Sequence, residues 1–169
     1  YVGYNESAEG KIQVSSNYSF EITINGNDYI GGAVGYNKGK SSGGISKVYL
    51  SGNNYVGGFA GYNEGTLVAN INTSNISGNT YIGGLAGLQK GDIASTSDDG
   101  YQVYGDGLIV TGSAYVGGLF GSIQKKQVNG DPESKKLKLG IAYLGSSSTI
   151  TGDYIVGGIA GEVVAGNLV

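Results

Sequence analysis

An all-β fold, and within it a parallel β-helix (β-solenoid), is what this chain predicts, and three observations carry the prediction. Glycine makes up 34 of the 169 residues while proline occurs once, a short apolar string rich in glycine returns five times, and the shortest interval between returns is 26 residues. Helical repeats run about 33 to 47 residues, and a glycine pair inside a helix costs about 1 kcal/mol per glycine, so helix is excluded. Propeller blades need about 40 to 50 residues. Collagen would need glycine at every third position and abundant proline. A hydrophobic content of 39% with 14% charged residues is too apolar for disorder. What fits is a coil whose strands lie beside those of the preceding coil at about 4.8 Å.

In chain order, a truncated copy comes first, since Val2-Gly3-Tyr4-Asn5 matches Val34-Gly35-Tyr36-Asn37 and the Gly61-Tyr62-Asn63 that follows Ala60. Five full copies follow. The first holds Tyr29, Gly31, Gly32 and Gly35, the second Tyr55, Gly57, Gly58 and Gly61, and the third Tyr81, Gly83, Gly84 and Gly87. The fourth holds Tyr115, Gly117, Gly118 and Gly121, and the fifth Gly157, Gly158 and Gly161, with Tyr154 displaced by one position. An aliphatic residue, a small polar residue and a glycine lead into each copy, and that glycine (26, 52, 78, 112, 152) always lies nine positions before the last one. Between last glycines the intervals are 32, 26, 26, 34 and 40 residues, so the minimal unit is 26 and the longer intervals carry excursions. Short aliphatic segments between Gly, Asn, Ser and Asp turns predict two or three strands per repeat, in one domain of five to six coils over residues 1–169. Right-handed winding is the default for parallel crossovers.

Stacked coils make equivalent positions neighbours, so Tyr29, Tyr55, Tyr81 and Tyr115 are expected to form a ladder, as are Asn37 and Asn63. The glycine pairs are expected to supply corners with φ > 0 and close backbone approach. Which face of the anchor points inward stays open, because Ile30, Gly32 and Val34 alternate with Tyr29, Gly31 and Ala33, and both sets are apolar or lack side chains.

The Val-Gly-Gly-Leu-x-Gly core, its aliphatic-x-Gly lead-in and the following Asn-x-Gly-x-Ile resemble the GLUG repeat of bacterial surface and secreted proteins. That family includes adhesin-like proteins and metallopeptidases that cleave immunoglobulin A. The resemblance covers nearly the whole chain and is closest over residues 52–67 and 78–93. It implies a β-helical accessory region of an extracellular or cell-surface bacterial protein. Ser122 and Ile123, and again Glu162 and Val163, stand where the family pattern has Tyr-Asn, so the turn after the anchor is expected to change there. The peptidases' zinc motif, His-Glu-x-x-His, has no counterpart in this chain.

Residue types narrow the function further. There is no His, Cys, Met, Trp or Arg, which removes Ser-His-Asp and Cys-His catalysis, His or thiolate zinc sites, haem and disulfides. No cofactor or metal is called for. Net charge is −3 with 10 basic and 13 acidic residues, so no basic footprint for nucleic acid exists. No apolar run reaches the roughly 18 residues of a membrane span.

Two excursions leave the repeat. Residues 96–107 carry Asp98, Asp99 and Asp106 with Tyr101 and Tyr104, oxygen ligands for Ca²⁺ without the ordered D-x-D-x-D-G spacing, a contact site for sugar through the tyrosines, or a solvated hairpin. Residues 124–139 carry Lys125, Lys126, Lys135, Lys136 and Lys138, suited to an anionic partner or simply to water. The expected function is a non-catalytic scaffold or adhesive stalk that touches a host protein or glycan through these loops. A substrate-positioning region of a secreted metallopeptidase is the alternative. Behind both stand a polysaccharide-acting β-helix enzyme, whose only local carboxylate cluster is Asp98, Asp99 and Asp106, and a self-assembling fibre unit. The chain is also expected to continue into flanking repeats or to stack end to end, because an open coil leaves unpaired backbone groups.

Overall fold

A computed structural model of the chain describes residues 2–7, 9–14, 21–93, 103–124 and 142–164. Among these residues there is no helix, and the strands form four parallel sheets that share the work of each circuit. The first side stacks Val2–Asn5, Val34–Asn37, Ala60–Asn63, Ala86–Gln89, Phe120–Gln124 and Ala160–Val164. The second stacks Lys11–Val14, Lys40–Ile45, Leu67–Asn72, Val103–Asp106 and Ala142–Leu144. Lead-in strands make the third side, Glu21–Asn25, Lys47–Ser51, Asn75–Ser77, Ile109–Thr111 and Thr149–Thr151. Anchor strands make the fourth, Asp28–Gly31, Asn54–Gly57, Thr80–Gly83, Ala114–Gly117 and Tyr154–Gly157.

Each repeat thus contributes four strands, where the sequence predicts two or three. The difference is clearest at Lys40–Ile45, whose Ser-Ser-Gly-Gly centre reads as a turn. It is held as a strand by ladder hydrogen bonding on both edges, to Lys11–Val14 and to Leu67–Asn72. Strand propensity is weak enough for such pairing to override it. In the same way, the end of the 96–107 excursion is a regular strand: Val103–Asp106 pairs with residues 70–72 on one edge and 142–144 on the other.

The anchor's open question is settled by burial. Val56, Ile82 and Val116 are fully buried in register with one another, and so are Phe59, Leu85 and Leu119 three residues later, joined from circuit to circuit by backbone hydrogen bonds. From the third side, Leu50, Ile76 and Val110 are buried in a second register column. Full burial of such a side chain contributes about 1.5–3 kcal/mol, and each circuit repeats the gain. Columns compensate one another where they vary. Gly105 occupies the position of Ile45 and Ile71, and the vacated space is taken by Leu108 and Leu119, whose methyl groups lie 2.7 Å from where its Cβ would be.

The glycines and tyrosines divide their labour differently from expectation. The paired glycines do not adopt positive φ; the residue two places before the pair does, at Tyr29 (57°), Tyr55 (56°), Tyr81 (59°), Tyr115 (54°) and Ile155 (52°). Ladder pairing runs Asp28 to Asn54 and Ile30 to Val56, stepping over the left-handed residue on both strands, so the register is kept. The glycines are needed for space. A Cβ on the first of a pair would overlap the carbonyl oxygen three residues on, closing its own turn, and on the second it would overlap a backbone carbonyl of the next circuit at Gly32, Gly58, Gly84 and Gly118, whereas Gly158 has nothing within 4 Å. A tyrosine in left-handed geometry costs about 1–2 kcal/mol, yet at the first four pairs no side chain fits at either glycine.

Replacing Gly58 by Ala is expected to lower stability by at least ~2 kcal/mol in urea melts, because the new methyl meets the Gly84 carbonyl and the Ile71 side chain. Gly3→Ala, with nothing within 4 Å, should shift it by less than ~0.5 kcal/mol. Equal losses would sink the spatial account. The Ser41 hydroxyl is buried with no partner among the described residues, in register with Ile12 and Leu67. Ser41→Ala should therefore raise stability by ~1 kcal/mol, and a loss of that size would show that the hydroxyl is satisfied.

Candidate functional site

The surface feature that the fold builds most deliberately is a strip of tyrosines along the corner between the fourth and first sides. Its first column is the expected ladder. Tyr29 and Tyr55 stack at 5.1 Å between centroids and 5° between planes, Tyr55 and Tyr81 at 5.0 Å and 4°, and Tyr81 and Tyr115 at 4.6 Å and 12°. A second column runs beside it, with Tyr36 over Tyr62 at 4.6 Å and 8° and Tyr4 tilted over Tyr36 at 5.0 Å and 35°. Sequence reasoning missed this column. Its signal was the Tyr-Asn pair after the last glycine, of which only the asparagine was read as a ladder.

Elementary geometry explains how the columns interlock. Ring faces touch at about 3.5 Å whereas strands repeat at about 4.8 Å, so stacked rings must lean by about 40° to stay in contact. Two columns leaning in opposite senses meet at roughly twice that angle. The cross-column pairs Tyr29–Tyr36, Tyr29–Tyr62 and Tyr55–Tyr62 are edge-to-face at 66°, 72° and 75°, with centroids 5.7–5.9 Å apart. Edge-to-face and offset pairs are each worth about 0.5–1.5 kcal/mol beyond burial. Tyr4 and Tyr29, the first rings of their columns, are 53% and 43% exposed, Tyr36, Tyr55, Tyr81 and Tyr115 are half-buried, and Tyr62 lies at the buried root of the strip.

Charged side chains of both signs border the rings. Lys38 sits 5.9 Å from the Tyr4 ring centre and 3.8 Å from the Glu6 carboxylate, and Lys90 sits 5.2 Å from the Tyr62 ring centre. The Tyr62 hydroxyl donates to Glu64 Oε1 at 3.3 Å. A hydrogen bond with Tyr4 raises the Lys38 ammonium above its ordinary value. Burial, followed by the Glu64 carboxylate, pushes the phenols of Tyr36 and Tyr62 well above the ordinary range. Burial and the neighbouring Tyr115 raise Tyr81.

Under the strip a buried amide ladder fixes its register. Asn5 Nδ2 donates to Asn37 Oδ1 at 2.8 Å, Asn37 Nδ2 to Asn63 Oδ1 at 2.6 Å, and Asn63 Nδ2 to Gln89 Oε1 at 3.0 Å. Each of the last three amides also donates to the carbonyl two residues on, Gly39, Gly65 and Gly91. Both amide hydrogens are therefore used, as burial demands. At the next two circuits the ladder positions are Ile123 and Val163, and the amides end. The strand itself continues there in unchanged register, with Ser122 donating to Glu162 at 2.8 Å.

Of the residues singled out in the excursions, Tyr101, Lys125, Lys126, Lys135, Lys136 and Lys138 lie outside the described residues, as do Asp98 and Asp99. Tyr104 is half-buried on the outward row of its strand, in register with Asn70 and Tyr143. Asp106, next on that row, accepts from the Ser147 hydroxyl at 3.0 Å. Among the described residues no group of three or more acidic side chains comes together as a cation site, and no helix is long and apolar enough to cross a membrane. Comparison with protein-family models, curated proteins and solved structures returns no match.

The raised phenols set a pH dependence. Their folded values exceed those of the unfolded chain, so the unfolded state loses its protons first, and stability should hold up to about pH 10 and then fall as pH rises further. Spectrophotometric titration at 295 nm, run with urea melts from pH 8 to 11.5, should show a late-titrating minority of the 14 tyrosines. All tyrosines titrating together near pH 10 with the fold intact would refute it.

Proposed function

We propose that this chain is a non-catalytic repeat scaffold with an adhesive surface, belonging to a bacterial protein that works outside the cell. Its contacts are a host protein or a glycan. The observation that carries the proposal is the surface that repeats with the coils: each circuit offers a similar row of side chains, one strand spacing from the last. Such a surface gives many weak contacts in line, and linked contacts gain avidity without any one of them being strong. Interior positions serve stacking, which keeps the presentation rigid. The resemblance to GLUG repeats of surface and secreted proteins supports the extracellular setting, and the lysines at 125, 126, 135 and 136 suit an acidic partner.

Immobilised chain probed with arrays of host extracellular proteins and of glycans should retain at least one class of ligand. If the lysine excursion makes the contact, replacing Lys125, Lys126, Lys135 and Lys136 together by Ser should weaken retention several-fold, and so should raising salt from 50 to 500 mM. Empty arrays from folded protein would reduce the chain to a spacer.

A further inference from the structure

We propose that the tyrosine strip is a binding face for a linear, uncharged polysaccharide lying along the stack. The proposal rests on the adhesive role above and moves its contact from the excursions to the coil itself. Three features argue for it. First, the strip is built but not buried: Tyr4 and Tyr29, the first rings of their columns, are 53% and 43% exposed, and Tyr36, Tyr55, Tyr81 and Tyr115 are half-buried, so each keeps part of its ring in reach of a ligand. A phenol offers an apolar face and a hydroxyl at its rim, which matches a pyranose ring with its apolar C–H face and equatorial hydroxyls.

Second, the rings recur once per circuit, at 4.6–5.1 Å. A row of identical groups at constant spacing favours a ligand that is itself periodic, and a folded protein surface seldom repeats on that scale. Third, the border is electrically balanced. Lys38 faces Glu6, and Lys90 and Glu64 both contact Tyr62. An anionic polymer would meet the two carboxylates as well as the two ammonium groups, whereas an uncharged chain can accept from one and donate to the other.

Affinity electrophoresis of the chain through gels containing a mixed-linkage β-glucan, a galactomannan or dextran, with polygalacturonate as the charged control, tests the proposal. Retardation is expected in at least one uncharged gel, more strongly than in polygalacturonate. Affinity for the fragments of that polymer should rise at least about tenfold from disaccharide to hexasaccharide, as successive rings engage. The double variant Tyr4→Ala and Tyr29→Asn should lose at least about tenfold in affinity while keeping its circular dichroism and a cooperative urea transition, at a midpoint lowered by the lost ring contacts, since Asn tolerates the left-handed geometry that Tyr29 holds. Should the double variant unfold, Tyr4→Ala alone serves, because that ring is the most exposed of the strip. No retardation by any uncharged polymer, or retardation that the folded variants leave unchanged, overturns the proposal. Retention only of host proteins, lost in the lysine variant, would overturn it and leave the adhesive role standing. Retention of nothing would overturn both.

Discussion

Parallel pairing of each circuit with the next, in fixed register at the strand spacing, is the constraint on which the rest of this structure depends. It makes every residue a neighbour of its own equivalents 26 to 40 positions away. A choice made once must therefore be tolerable when repeated directly above itself. Apolar side chains satisfy this by nesting, as Val56, Ile82 and Val116 do. Amides satisfy it by donating to the next amide, as Asn37, Asn63 and Gln89 do. Tyrosines satisfy it by leaning. Like charges satisfy it least well: Glu21 is opposed by Lys47 at 3.2 Å and Asp28 by Asn54, while the like pair Lys11 and Lys40 stands where both side chains are exposed to water.

The same constraint explains why glycine is spent where it is. The corner between the fourth and first sides brings backbone within van der Waals range of backbone, both inside one turn and between circuits. At the first four pairs only residues without Cβ fit, so the pair is fixed there by packing and not by dihedral preference. Left-handed backbone, which glycine would supply at no steric cost, falls instead to tyrosine. The tyrosine position bears strain of about 1–2 kcal/mol, offset by ring contacts above, below and across the strip. At the fifth copy that position is Ile155, a branched residue in left-handed geometry with no ring to stack, and it is 49% exposed. The strip thus ends where the sequence drops its tyrosine.

Function follows from what this packing leaves at the surface. Interior columns and the amide ladder hold the coils rigid, and the tyrosine columns, which the same register creates, face outward with a border of both charges. A strip of this kind owes its regularity to the fold, so a ligand that matches one ring of the Tyr29–Tyr115 column is matched again on each of its four circuits.

Much of this was legible in the chain before any coordinates. Five strings at a minimal spacing of 26 residues determine a parallel coil and name its register, because identical positions separated by one circuit must stack. That placed the Tyr29 column, and Asn37 over Asn63, without further information. Three things were not legible. The second side could not be read from Ser-Ser-Gly-Gly, since its strand exists by virtue of edges supplied from circuits on both sides. The inward face of the anchor could not be read either, because alternation is lost where one strand position is left-handed and glycine stands on both faces. And the meeting of Tyr29 with Tyr36 and Tyr62 depends on how the chain turns a corner, a matter of backbone angles at a few residues. Periodicity along the axis is a property of sequence, while the shape of the cross-section is decided only when the sides close on one another.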